Sequence, residues 1–218
     1  MTTKTGLFIV FEGGEGSGKS TQAKLLYDEL VIKGWPAFLT KEPGGDDGVC
    51  KDIRTVLLNP KYKGSMDPKT ELMLFAADRA QHVGQVLEPE IKNGKLVICD
   101  RYEGSTFAYQ CAARGFSIQA FEMLNQYATS GLKPNFIFWL DIDPVIGLQR
   151  NVGASKRDRF EMEDLSFHQN VRIGYEEYFK SQEPRRYIKL DAAKSIDELH
   201  QEIIWNLIGK LRSGLYCR

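Results

Sequence analysis

The segment GGEGSGKS at positions 13–20 fits G-x-x-x-x-G-K-[ST], a pattern whose chemistry is the cradling of phosphate. Gly13, Gly16 and Gly18 permit backbone angles that a side chain would forbid. Successive N–H groups can then turn inward at a helix N-terminus and surround an anion. Lys19 would reach the β- and γ-phosphates of a nucleotide, and Ser20 would offer its hydroxyl to Mg²⁺. The candidate nucleotide-binding set is Gly13, Gly14, Glu15, Gly16, Ser17, Gly18, Lys19, Ser20 and Thr21. A second candidate is Asp100-Arg101, at the end of the apolar run LVICDR. A buried strand ending in a carboxylate can bring that group to the metal, and the arginine beside it can hold a phosphate in transfer. Asp141 in FIFWLDID competes for the metal role, whereas Asp143, just before Pro144, suits a helix N-cap. A third candidate is the charged stretch 150–164, with Arg150, Lys156, Arg157 and Arg159 within ten positions. It reads either as a solvated basic loop or as a lid over roughly 150–163. A lid would close over the donor, exclude water and bring Arg157 and Arg159 to the transferring phosphate.

Positioning such groups requires a scaffold, and the pattern of the chain supplies one. Short apolar runs at 7–13, 37–43, 95–101, 135–143 and 186–192 read as strands, separated by longer amphipathic stretches. Helices are expected after the glycine loop (through Leu25, Leu26, Leu30 and Ile32, stopped by Gly34), at 48–58, at 67–92 and at the C-terminal end. There Ile196, Leu199, Ile203, Leu207, Ile208 and Leu211 recur at the helical period. Strands that are apolar throughout suit a parallel sheet covered on both faces. The expected fold is therefore α/β, an open parallel five-stranded sheet of the P-loop NTPase type with helices on both faces and a mobile lid, in one domain over 1–218. Such sheets bind ligands beyond the carboxyl ends of their strands, and Gly13, Glu42, Asp100 and Asp141 all fall there.

Composition narrows the function further. Lys+Arg and Asp+Glu are each 29 among 218 residues, so zero net charge gives no support for non-specific binding to nucleic acid or an anionic membrane. The cysteines Cys50, Cys99, Cys111 and Cys217 form no C-x-x-C pair and read as reduced thiols. No segment reads as a signal peptide or membrane span, so a cytoplasmic protein is expected. No NKxD-like guanine-reading segment accompanies the loop, which argues against a signalling GTPase.

Five motifs in series, FEGGEGSGKST (11–21), KEPGG (41–45), LFAADR (74–79), DRYEGSTFAYQ (100–110) and DRFE (158–161), resemble the thymidylate kinase family over nearly the whole chain. The resemblance implies phosphoryl transfer from ATP-Mg²⁺ to dTMP, giving dTDP and ADP on the route to dTTP, by a homodimer packed through helices. It implies that Glu15 lies near the acceptor's 3′-hydroxyl, that Arg54 holds its phosphate, and that Phe75 stacks on thymine while Arg79 hydrogen-bonds the base. Arg101 would contact phosphate near the transfer point. Tyr109 would crowd the sugar 2′ position. Ser105 and Gln110 would neighbour the base, and Glu42 and Pro43 would line the acceptor site. Gly16 stands where some members of the family carry an arginine. This chain is therefore similar to the bacterial type, in which the lid supplies the arginine. Lys41, Asp46 and Asp47 depart from the family's usual arginine-led motif at that place. The residues alone leave open a deoxynucleoside kinase using Glu42 as base, another nucleoside monophosphate kinase, or a non-catalytic nucleotide sensor. Arg150 and the stretch 191–195 are candidates for the adenine side.

Overall fold

A computed structural model describes residues 6–45, 48–151, 158–183 and 186–212, with side chains described as far as 209. Five strands, β1 (Leu7–Glu12), β2 (Ala37–Lys41), β3 (Leu96–Asp100), β4 (Phe136–Asp141) and β5 (Tyr187–Asp191), form one all-parallel sheet in the order β2-β3-β1-β4-β5. The strand that leads into the glycine loop is thus central. Val10 pairs with Cys99 on one side and Ile137 on the other.

Alternating side chains of the strands serve two separate cores, which is why the strands read as apolar throughout. Phe8, Val10, Val97, Cys99, Ile137 and Trp139 face one core. Ile9, Phe11, Ile98, Phe138 and Leu140 face the other. The second core is closed by α1 (Lys19–Ile32) and α9 (Ile196–Arg212), through Ala23, Leu26, Leu30, Leu199, Ile203 and Leu207. The first is closed by α3 (Pro68–His82), α6 (Ile118–Thr129) and α8 (Leu165–Lys180), together with the segment 103–113.

Two apolar residues expected on buried helix faces are exposed. Ile32 is 84% exposed, because it lies two residues, over half a turn, beyond Leu30. Ile196 is 57% exposed at the first turn of α9 and borders the cleft described below, while Leu199, Ile203 and Leu207 follow at four-residue steps and are buried.

The helix expected over 67–92 runs without a break but is not uniform. Asp67 caps its start by accepting from Lys69 N, with Pro68 at the first turn. The stretch Val83–Leu87 widens into a π-turn before α4 (Glu88–Lys92), which carries Pro89. Proline lacks an N–H and its ring collides with the carbonyl four residues back, so the widened turn relieves the strain a regular helix would have there. The remaining helices are α2 (Gly48–Leu58), α5 (Glu103–Thr106), extended by a π-helical stretch Phe107–Ala113, and α7 (Pro144–Arg150), capped by Asp143. Among the described residues no helix is long and apolar enough to cross a membrane. Cys50, Cys99 and Cys111 are buried reduced thiols; Cys217 lies outside the described residues.

Phe138 is fully buried in the central part of the sheet against Phe11 and Phe136. Phe138→Ala is expected to cost about 3–5 kcal/mol of unfolding free energy, read from urea denaturation.

Candidate active site

The carboxyl ends of β1, β2 and β3 open into a cleft with a cavity of about 1180 Å³. At one end lies the glycine loop. Gly13, Gly16 and Gly18 have φ of 148°, 68° and 83°, and α1 begins at Lys19 directly after the last of them. The loop's shape is enforced from below by α7. A Cβ on Gly16 would lie 2.0 Å from Gly147 O, and one on Gly147 would lie 2.2 Å from Glu15 O. A side chain at position 16 would therefore require the backbone at Gly147 to shift. Arg150, from the last turn of α7, donates to Gly16 O (3.3 Å), Ala192 O (2.8 Å) and Ala193 O (3.4 Å). It thereby joins the glycine loop to the 191–195 turn, and both line the cleft.

Lys19 donates to Gly14 O (2.7 Å) and Ser17 Oγ (3.2 Å). Burial, then the nearby Arg101, lower its pKa to about 8 despite the carboxylates of Glu15 and Asp100. The Ser20 hydroxyl donates to Asp100 Oδ2, and Asp100 Oδ1 is buried with no hydrogen-bond partner. A hydroxyl and a carboxylate with an orphaned buried oxygen, facing a phosphate loop, suit Mg²⁺, which takes few protein ligands and completes its shell with phosphate and water. No cluster of three acidic, histidine or cysteine ligands occurs among the described residues. Asp141 is elsewhere: Arg172 (2.8 Å) and Lys189 (2.9 Å) hold it at the end of β4.

The middle of the cleft is built around Arg101. Its φ is 73°, a conformation that costs a non-glycine residue on the order of 1–3 kcal/mol and persists only when its surroundings impose it. Glu12 imposes it. This carboxylate, at the buried end of β1, accepts from Tyr102 N (2.9 Å), Ser105 N (3.1 Å), Ser105 Oγ (2.6 Å) and Tyr175 Oη (3.1 Å). Burial raises its pKa more than these bonds lower it. With the turn so held, Arg101 reaches back across the cleft floor to Gly13 O (3.0 Å) and Glu15 Oε1 (2.6 Å). Tyr109 donates to the same Glu15 oxygen (2.6 Å) and lies under the guanidinium at 5.2 Å. Burial alone would raise the Glu15 pKa, but Arg101 and Lys19 outweigh it and hold the group at about 2.

The other end of the cleft gathers Glu42, Pro43, Arg54, Phe75, Arg79 and Gln110. Arg54 donates to Pro43 O (2.6 Å), and burial pulls its pKa down despite the attraction of Asp158. Phe75 is half-buried, packed at 5.9 Å against Phe160, so it is both core and cleft wall. Arg79 is buried. It donates to Glu42 Oε2 (2.8 Å), Tyr102 O (3.0 Å) and Thr106 Oγ1 (3.0 Å). Much of its donor capacity is thus spent inside the protein. His82 Nδ1 donates to the second oxygen of Glu42 (3.0 Å).

The structure does not bring Arg159 to the cleft. The arginine is 3% exposed, its Nε bonds Leu57 O, and one terminal nitrogen pairs with Glu71. A buried carboxylate captures the charge expected at the phosphate. Lys156 and Arg157 lie outside the described residues, as do Asp46 and Asp47. The residues missed by sequence reasoning are Glu12, Glu71 and His82, all buried and charged or polar. Glu12 carried a signal, a lone carboxylate closing an otherwise apolar strand.

A carboxylate whose pKa falls on folding stabilises the protein above its unfolded value and loses that contribution as the pH drops through the folded one. For Glu15 the window runs from 4.5 down to about 2. Glu15→Gln should therefore lower stability by about 3 kcal/mol at neutral pH, with the gap to wild type closing toward pH 2. Urea titrations across that range check this.

The model of the thymidylate kinase family matches residues 11–203, which takes in every element of the cleft. A protein named thymidylate kinase from Acaryochloris marina is 43% identical over 218 aligned residues, covering 91% of this chain and 94% of that protein. One of the same name from Halothermothrix orenii is 43% identical over 94% of this chain and 98% of its own length. A third, from Exiguobacterium sp., is 39% identical over 96% and 98%. A cleft with a phosphate loop at one end and an aromatic and arginine-lined pocket at the other thus stands in a chain that belongs to the thymidylate kinase family.

Proposed function

We propose that this protein transfers the γ-phosphoryl group of ATP to the 5′-phosphate of dTMP, releasing dTDP and ADP. The observation that carries this reading is that one cleft is lined both by the glycine loop with Lys19 and by Arg54, Phe75, Arg79 and Gln110, with Arg101 bonded to Glu15 of the loop. Two anionic substrates can meet there head to head.

The donor's phosphates lie on the loop N–H groups of residues 13–20, with Lys19 at the β- and γ-phosphates. Ser20 and Asp100 would hold Mg²⁺, which when bound neutralises phosphate charge. Arg54 holds the acceptor's phosphate, Phe75 stacks on its base, and Arg79 and Gln110 read the base edge, with Ser105 nearby. Tyr109 and Glu15 shape the sugar pocket, and Glu42 and Pro43 support it. An oxygen of the acceptor phosphate attacks the γ-phosphorus in line, and the electron pair of the breaking P–O bond leaves on the β-phosphate. The attacking oxygen is already anionic near neutral pH, so no strong general base is required. Positioning and neutralisation of charge carry most of the acceleration.

A deoxynucleoside kinase would need such a base, and Glu42 is the candidate. Both of its oxygens are engaged, by Arg79 and His82. That favours a monophosphate acceptor.

The segment 150–163 acts as a lid within a single domain, in the bacterial manner: position 16 is a glycine and supplies no cation, so the transferring phosphate meets Arg157 or Lys156. Arg159 serves instead as the lid's buried anchor. The chain works as a cytoplasmic homodimer. α3 packs against both α2 and α6. These helices leave Val49, Val56, Met73, Ile118, Met123 and Tyr127 exposed, with Tyr127 at 88%. Exposed apolar side chains on these neighbouring helices are the groups that would pack against a second copy.

A coupled ADP-release assay should show turnover with dTMP, less with dUMP, and none with thymidine. Lys19→Ala and Arg101→Ala should each lower kcat by about 10²–10³ while circular dichroism stays unchanged. Near-normal turnover in either variant contradicts the assigned roles. Sedimentation should give about twice the chain mass of 24.8 kDa.

A further inference from the structure

Glu71 lies two turns before Arg79 on α3 and is 1% exposed. Three donors converge on it. Gln110 Nε2 stands 2.8 Å from Oε1, Arg114 Nε stands 3.4 Å from the same oxygen, and Arg159 pairs with Oε2. Arg114 also bonds Glu163 at 2.6 Å, so both ends of the segment 159–163 are tied to this point.

We infer that Glu71 is a positioning residue that sets the acceptor's base specificity by fixing the orientation of the Gln110 amide. A carboxylate only accepts hydrogen bonds, so the group that Gln110 turns toward it must be the NH₂. The amide carbonyl is then the group available to the cleft, which Gln110 lines. A fixed acceptor there suits a base with an N3–H, as in thymine and uracil. It opposes cytosine, whose N3 is itself an acceptor. Arg79, a pure donor, independently favours a carbonyl over the amino group of cytosine.

The ion pair to Arg159 is what allows the carboxylate to remain at this depth. Burying an unpaired carboxylate is unfavourable, and a cation beside it offsets the lost hydration. Specificity at the acceptor pocket is thereby tied to the anchoring of segment 159–163. Phe160 reinforces the tie, packing between Phe75 (5.9 Å) and Tyr109 (5.7 Å).

This inference rests on the proposed acceptor, and its test separates the two. In Glu71→Gln, residue 71 can either donate or accept, so the Gln110 amide can turn over. Because a lone substitution strands the Arg159 charge, the neutralised pair E71Q/R159Q is measured beside it, with R159K as the variant that keeps both a cation at position 159 and the carboxylate on Gln110. The readout is kcat/KM for dTMP, dUMP and dCMP. The preference for dTMP over dCMP should fall about tenfold or more in E71Q and in E71Q/R159Q, as expected when one mismatched hydrogen bond is relieved. The preference for dTMP over dUMP should stay at the wild-type value in all three variants, and R159K should keep the preference over dCMP. An unchanged dTMP-to-dCMP ratio in the carboxylate-free variants, or a parallel fall on all three acceptors, overturns the role given to Glu71. A wild-type protein inactive on dTMP overturns the proposed function instead.

Discussion

Four donors converge on the carboxylate of Glu12, and the geometry of the cleft follows from that convergence. Glu12 ends the central strand, where the next residue already belongs to the glycine loop. Two of its donors are backbone N–H groups of the turn after β3, and the others are the hydroxyls of Ser105 and Tyr175. The carboxylate thus welds the end of one strand to the turn after its neighbour, and to α8. Arg101, inside that turn, is driven into a left-handed conformation and swings over the loop to Glu15. The groups that would bind the donor and those that would bind the acceptor are registered against each other through this one buried anion.

The electrostatics extend outward from there as paired, not isolated, charges. Glu15 faces Arg101, Glu42 faces Arg79, and Glu71 faces Arg159. Each pair is mostly or wholly out of water, where losing one partner costs about 3–5 kcal/mol. A binding site for two polyanions needs several arginines, and the paired carboxylates keep those arginines from repelling one another before substrates arrive. The arrangement also fixes the guanidinium planes, so that binding does not have to order them.

Much of this architecture was legible in the sequence. The five strands were visible because both faces of each are buried, which leaves runs of apolar residues with little alternation. The loop 13–20 was visible because glycines at fixed spacing have a backbone reason to be there. What local pattern could not reveal is the pairing of distant charges. Arg159 sits in a strongly charged stretch and looks solvent-facing; its partner Glu71 is 88 positions away on a helix whose polar residues look equally exposed. Ile32 and Ile196 depart for simpler reasons: Ile32 sits off the buried stripe at the end of α1, and Ile196 lies on the stripe but at the first turn of α9, where it borders the cleft. The π-turn before Pro89 was hinted at only by a proline inside a helical run.

The central claim is that Glu12 places Arg101 at the transfer point. Glu12→Leu preserves bulk but removes the acceptor of two buried N–H groups and two hydroxyls. Steady-state turnover together with ATP affinity, measured on the folded variant, tests the claim most directly. The account predicts a fall in kcat of about 10²-fold with ATP binding nearly unchanged, because the donor loop is built without Glu12 while the arginine is not. A folded Glu12→Leu protein that turns over at close to the wild-type rate would contradict it.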